Sequence, residues 1–251
     1  MQKNEFPKNW VILRGLVRGR IHWKGFDQLI KDKWQLENVF TPELPGNGYL
    51  AEQWTPATME GAVKSLREQC RLPANTAIGI LGISLGGMIA TRWAQLYPDE
   101  ISHLVVGNSS SKLSPFYKRL RPQNYLRILK LLTNTDAEHI ERFIFEVTTT
   151  AKEKWPIYLP ENIDFHKKHP TQIKNFITQL RLAGMTDFRD VPKMQKLVLV
   201  SRNDTLVDSS CSEIIANKWN CPIRYNDTAG HDLSFDDPNW IVNTVAAEYL
   251  R

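Results

Sequence analysis

The chain has 251 residues, 42% of them hydrophobic, and a net charge of +5. That length suits one α/β domain with an insertion and can bury a sizeable core. The mild basic balance lacks the concentration of charge that nucleic-acid binding requires. Three cysteines, Cys70, Cys211 and Cys221, contain no CxxC pair and fit no zinc spacing, so reduced thiols and no metal are expected. No apolar run approaches the ~20 residues that span a bilayer. The opening MQKNEFPKNWVILRG is interrupted by Arg14 before it reaches signal-peptide length, so a cytoplasmic protein is expected.

The first strand is predicted at Trp10 to Leu13, running into the basic loop Arg14-Gly15-Leu16-Val17-Arg18-Gly19. A helix follows over Ile21 to Leu29, with Ile21, Phe26, Leu29 and Ile30 on one side. His22 and Trp23 either line a pocket or pack. Glu37 to Leu44 reads as a strand, and Pro45-Gly46-Asn47-Gly48 as a turn-rich loop. Thr55 is the candidate cap of a helix from Pro56 to Cys70 that Pro73 ends. Ala77 to Leu81 is an apolar run typical of a strand covered on both faces. It enters Gly82-Ile83-Ser84-Leu85-Gly86-Gly87, after which Met88, Ile89, Ala90, Trp93, Ala94 and Leu96 recur at helical spacing.

Strand, tight turn and helix with a serine at the apex make a nucleophile elbow. Glycines on either side remove side chains that would collide, and the helix N-terminus favours negative charge at the site. A Gly-rich turn with a merely capping serine is the alternative. His103 to Val106 is a further buried strand, and Gly107-Asn108-Ser109-Ser110 lies at its end, where ligands bind in open α/β sheets.

From Lys112 to about Asp190 strand signals give way to helical periodicity. It shows in Tyr125, Ile128, Leu129 and Leu132, in Ile140, Phe143, Ile144 and Val147, and in Ile173, Phe176, Ile177, Leu180 and Leu182. Lys112, Lys118, Arg119, Arg121, Arg127 and Lys130 precede Thr135 with no acid among them. They read as a landing site for an anionic substrate or acidic carrier protein, or as a solvated helix face, the commoner case. His166 and His169 lack metal-site partners and read as surface residues.

Lys196 to Val200 is a clear strand followed by Ser201-Arg202-Asn203-Asp204. Asp208 is a rival acid better placed to cap a helix beginning at Ser209. Pro222 to Tyr225 is the last strand, followed by Ala229-Gly230-His231, and a final helix is predicted over Pro238 to Leu250.

GISLGG between strand and helix, with an acid and then a histidine after later strands, resembles the α/β-hydrolase superfamily. The resemblance covers nearly the whole chain. It implies about six mostly parallel strands flanked by helices, without the extra N-terminal hairpin many members carry. It also implies a hydrolase core over 1–111 and 191–251 and a helical lid over 112–190 inserted after the sixth strand of the family fold.

The resemblance further implies catalytic Ser84, Asp204 and His231, with an oxyanion hole from the backbone N–H groups of Leu16 and Leu85. Arg14 stands where the family usually has histidine. Pro45-Gly46-Asn47-Gly48 is similar to the family's D-x-P-G-x-G loop, with Glu43 in the acidic position. The implied activity is hydrolysis of a carboxylic ester or thioester of a small or acyl-chain substrate, with no cofactor. The alternatives are a carboxylesterase for carrier-protein-linked esters and a non-catalytic ligand-binding protein of the same fold.

Overall fold

The computed structural model describes residues 5–73, 76–131, 133 and 136–250. Strands β1 (Asn9–Leu13), β2 (Asn38–Phe40), β3 (Ile78–Ile83), β4 (Ile101–Gly107), β5 (Gln195–Ser201) and β6 (Ile223–Asn226) form one sheet. It is parallel throughout and ordered β2-β1-β3-β4-β5-β6. Parallel neighbours need long crossovers, and helices supply them: α1 (Phe26–Lys33), α2 (Met59–Gln69) and α3 (Leu85–Leu96) in the first half. Between β4 and β5 lie α4 (Phe116–Arg119), α5 (Tyr125–Leu131), α6 (Ala137–Thr148), α7 (Trp155–Lys168) and α8 (Ile173–Met185). Then come α9 (Ser210–Trp219), α10 (Leu233–Asp236) and α11 (Pro238–Tyr249).

The strands read as unbroken apolar runs because both faces of the sheet are buried. Alternate side chains feed opposite cores. Val11, Leu13, Ile80 and Val200 pack with Leu66, Trp93 and Ile215 on one face. Trp10, Ile12, Leu81 and Leu199 pack with Phe26, Ile30 and Val242 on the other. Burying each such aliphatic side chain contributes about 1.5–3 kcal/mol. The neighbours β1 and β3 are the point from which the chain proceeds outward in both directions, which places a crevice at their C-terminal ends. Arg14 to Leu16 leave β1 there, and Ser84 leaves β3.

Several boundaries differ from expectation for local reasons. The central strand starts at Ile78 and reaches Ile83, leaving Ala77 outside it. In place of one helix over Ile21 to Leu29, a 3-10 turn (Arg20–Trp23) and α1 are separated by Lys24 and Gly25, both at positive φ. His22 and Trp23 are both buried, and Trp23 stacks on Phe26. The expected strand Glu37 to Leu44 pairs only over Asn38–Phe40 at the sheet edge, because Glu43 turns inward to accept from the Arg20 and Tyr49 amides. Helix α2 begins at Met59 with Thr58 as its cap; the Thr55 hydroxyl donates to the Pro45 carbonyl instead.

Asp208 accepts from the Ser210 amide at the start of α9. Helix α7 was hidden in the sequence by Pro156 and Pro160, the first of which sits harmlessly in the opening turn. Leu132 lies outside the described residues. None of the three cysteines is paired.

Gly79 sits opposite Trp10 in the β1–β3 register, and a Cβ there would enter the indole ring. We expect Gly79→Ala to lower unfolding stability by about 1–3 kcal/mol, read as a lower urea midpoint at constant slope. Gly184 in α8 has open space around it, so Gly184→Ala should raise stability by about 0.5–1 kcal/mol.

Candidate active site

Ser84 is the one residue between Ile78 and Thr91 that is not buried. Its backbone lies at φ 58 and ψ −123, a conformation that costs about 1–3 kcal/mol for a non-glycine residue. The Ser84 N–H donates to the Gly107 carbonyl at 2.8 Å, and the Ser109 hydroxyl donates to the Ser84 carbonyl at 2.7 Å. A Cβ on Gly82 would strike the Gly86 carbonyl, and one on Gly86 would strike the carbonyls of Leu13 and Arg14. Helix α3 can therefore start against the end of β1, and the serine hydroxyl stands clear of both.

His231 follows β6 and is buried. Its Nδ1 lies 2.6 Å from Asp204 Oδ2, while Asp204 Oδ1 accepts from the amides of Leu206 (2.8 Å) and Val207 (2.9 Å). Burial works against a charged imidazole, but the Asp204 carboxylate, its hydrogen bond and the Asp232 charge outweigh that and hold the His231 pKa above the ordinary value of 6.5. Behind the pair, Asn108 at φ 45 donates to the carbonyl of His231 at 2.8 Å and to Ser201 Oγ at 2.9 Å. Of the four residues Gly107 to Ser110, only Ser110 reaches the cavity.

A cavity of about 1030 Å³ lies between the sheet edge and α4 to α8, and its lining includes Ser84, His231, Leu16 and Leu85. Asp204 stands outside it, behind the imidazole. Among the described residues, Ser84 Oγ forms no hydrogen bond; serine and imidazole share the cavity without being bonded to each other. The amides of Leu16 and Leu85 likewise donate to no protein group among the described residues. Leu85 is the first residue of α3, where amides have no intrahelical acceptor. A Cβ on Gly15 would lie 3.2 Å from Ser84 Cβ, so the loop bearing Leu16 passes directly beside the serine.

Three polar groups position these loops through contacts that the sequence did not reveal. Arg14 grips Asp232 with both nitrogens, at 3.0 and 2.6 Å, also reaches Ser234 Oγ at 2.7 Å, and stacks over Trp23. Burial pulls the Asp232 carboxyl up, yet Arg14 and Ser234 keep it below the usual range. Arg18 is bound by Glu141 at 2.8 Å, and Glu141 also holds His166 at 2.9 Å. His166 is thus largely buried and faces the cavity, correcting its reading as a surface residue; its partner lies 25 positions away and no local pattern announces it. Gln179, fully buried in α8, accepts from the Val17 amide at 3.0 Å and donates to Asn47 at 2.6 Å. A distant Arg–acid pair has no sequence spacing to betray it. Gln179 carried one signal, a polar residue within an apolar-periodic helix.

The basic residues before α6 are largely engaged. Lys118 reaches Ser210, Arg119 the carbonyls of Ala183 and Gly184, Arg121 Asp208, and Arg127 Glu146. Among the described residues no group of three or more His, Cys, Asp or Glu could hold a metal ion, and no helix is long and apolar enough to cross a membrane.

Residues 23–238 match the family defined by the alpha/beta hydrolase fold, and the chain belongs to that family. No curated protein matches it. Among solved structures it is similar to a hydrolase from Pseudomonas aeruginosa PA01, with a TM-score of 0.77, 19% identity, and coverage of 96% of this chain and 89% of that one. It is also similar to a thermophilic esterase from Thermogutta terrifontis solved with malate bound, with a TM-score of 0.73, 21% identity, and coverage of 99% and 91%. A lipase-esterase related protein from Clostridium acetobutylicum ATCC 824 gives a TM-score of 0.71 at 15% identity, with coverage of 99% and 96%. At these identities the likeness speaks to the fold.

Removing Arg14 leaves Asp232 buried beside His231 without its counter-charge. We expect Arg14→Met to cost about 3–5 kcal/mol in thermal or urea unfolding, and the double variant Arg14→Met, Asp232→Leu to recover most of it.

Proposed function

We propose that this chain is a serine hydrolase that cleaves a carboxylic ester or thioester through an acyl-enzyme. The observation that carries the reading is the 2.6 Å contact between His231 and Asp204 on a cavity that Ser84 enters from a strained turn. In this reading His231 takes the Ser84 proton as the hydroxyl oxygen attacks the substrate carbonyl. Asp204, anchored by two amides, fixes the imidazole tautomer and stabilises the imidazolium. The negative charge on the carbonyl oxygen is received by the amides of Leu16 and Leu85, a pair of the kind whose loss typically costs ~10²–10³ in rate per donor.

The imidazolium then gives its proton to the departing alcohol or thiol. Water, deprotonated by the same imidazole, attacks the acyl-serine and releases the acid. Helices α4 to α8, which roof the cavity, act as a lid over residues 112–190 that limits water at the reacting bond. The carrier-protein variant of this reading draws no support from the basic segment, since Arg119, Arg121 and Arg127 are bound within the chain.

Wild type should hydrolyse short-chain p-nitrophenyl esters and take a fluorophosphonate label. Ser84→Ala should lose the label and roughly four to six orders of magnitude in kcat. Equal turnover by both proteins would reject Ser84, and absence of label on wild type would favour a ligand-binding protein.

The pH dependence follows from the imidazole, which must be neutral to accept a proton. With its pKa raised, kcat/KM should fall as pH drops through a midpoint above 6.5 and level off at higher pH. Asp204→Asn removes the charge that raises the pKa. It should shift that acid limb downward while lowering the plateau about 10⁴-fold. A wild-type midpoint at or below 6.5 contradicts the raised imidazole pKa, and an Asp204→Asn limb that does not move contradicts its cause.

A further inference from the structure

The cavity above Ser84 has an uneven chemistry. One wall is aliphatic: Ile140, Ile144 and Val147 of α6, Ile128 of α5 and Leu206 after β5 line it together with Phe143. These side chains form a single apolar cluster that joins the cap helices to Val17 of the loop beside the serine. Three charged groups of the interior are paired with acids, Arg14 with Asp232, Arg18 with Glu141 and His231 with Asp204. Arg119 also lines the cavity and is held on its α8 side by the carbonyls of Ala183 and Gly184. Among the cavity-lining lysines, Lys167 and Lys174 are exposed and stay in water.

A charged substrate group laid against this wall would lose its hydration, and the side chains there, all apolar, offer it no counter-charge. An alkyl group laid along the same wall gains affinity with each methylene it buries. The volume, about 1030 Å³, lies at the top of the range for small-molecule sites. At roughly 30 Å³ per water-sized group, half of it holds a dozen or more such groups. An acetyl group would leave the aliphatic wall untouched.

We propose that this cavity receives an uncharged aliphatic chain of about eight carbons or more, laid along the α6–Leu206 wall, so that the ester cleaved at Ser84 is that of a medium- or long-chain acyl or alkyl group. The proposal rests on the serine-hydrolase reading for its chemistry and on the cavity alone for its binding.

The test has a kinetic and a binding arm. p-Nitrophenyl decanoate should exceed p-nitrophenyl acetate in kcat/KM by at least roughly a hundredfold if the chain lies on the acyl side. Decyl acetate should exceed ethyl acetate similarly if it lies on the alcohol side. The p-nitrophenyl hemiester of decanedioic acid, as long but ending in a carboxylate, should be at least about tenfold poorer than the decanoate. Ile140→Trp, and Leu206→Trp should the first fail to fold, should lower the decanoate-to-acetate ratio at least about tenfold by filling the wall.

In the binding arm, Ser84→Ala should bind 1-decanol with a negative heat-capacity change by calorimetry and 1-propanol far more weakly. A preference for the short ester on both sides, or equal use of the carboxylate-ended chain, overturns the proposal. So does failure of 1-decanol to bind. A wild type that turns over no ester at all defeats the serine-hydrolase reading, while 1-decanol binding still decides the cavity's occupant.

Discussion

The site depends on one close approach of backbone to backbone. Helix α3 abuts the end of β1 so tightly that Gly86 faces the carbonyls of Leu13 and Arg14, and Gly82 faces Gly86. Only that contact lets Ser84 occupy φ 58 with its hydroxyl free, while Gly15 passes so near that a Cβ on it would crowd the Ser84 Cβ. The strain at Ser84, of order 1–3 kcal/mol, is small against the apolar burial on the two faces of the sheet. It is also held locally, by the Gly107 carbonyl and the Ser109 hydroxyl. The donors beside the serine are consequences of the same geometry. Leu85 is the first helical residue and Leu16 follows the glycine that clears the turn.

Around this contact the charged groups are arranged in a buried pair and a buried triad, each joining separate segments. Arg14–Asp232 links the end of β1 to the His231 loop, and Arg18–Glu141–His166 links the β1 loop to α6 and α7. Desolvation makes such pairs poor sources of net stability compared with apolar packing. They do specify position, since any rearrangement that parts them leaves a buried charge unpaired. Asn108 does the same without charge, joining the ends of β4 and β5 to the His231 carbonyl.

The sheet was legible because parallel strands buried on both faces leave runs such as Ala77 to Leu81 and Lys196 to Val200 that nothing else explains. The turn at Ser84 was legible because Gly82 answers to a local steric contact, with the Gly86 carbonyl just beyond the serine. Asp204 and His231 could be placed as residues after the ends of β5 and β6. What escaped was set by tertiary context. The Thr55 hydroxyl was drawn away by Pro45, and Glu43 bent the β2 segment out of the sheet after Phe40. His166 found a partner that no spacing foretells. In each case a polar group chose its partner across space, where composition and periodicity carry no information.

Gln179 ties the helices over the cavity to the loop beside Ser84. Its side chain comes from α8, yet its oxygen receives the Val17 amide, next to Leu16, and its nitrogen reaches Asn47 and Thr55. Val17 is itself at φ 53, a strained state for a β-branched residue, and the buried amide is the group that holds it there. Asn175, one turn earlier, accepts from the Thr55 amide and donates to the Gln53 carbonyl. The helix that closes the roof of the cavity therefore also sets the backbone of the loop beside Ser84. A displacement of α8 that opened the cavity would pull on the Val17 amide at the same time, so access to the cavity and the position of the neighbouring Leu16 amide are mechanically coupled.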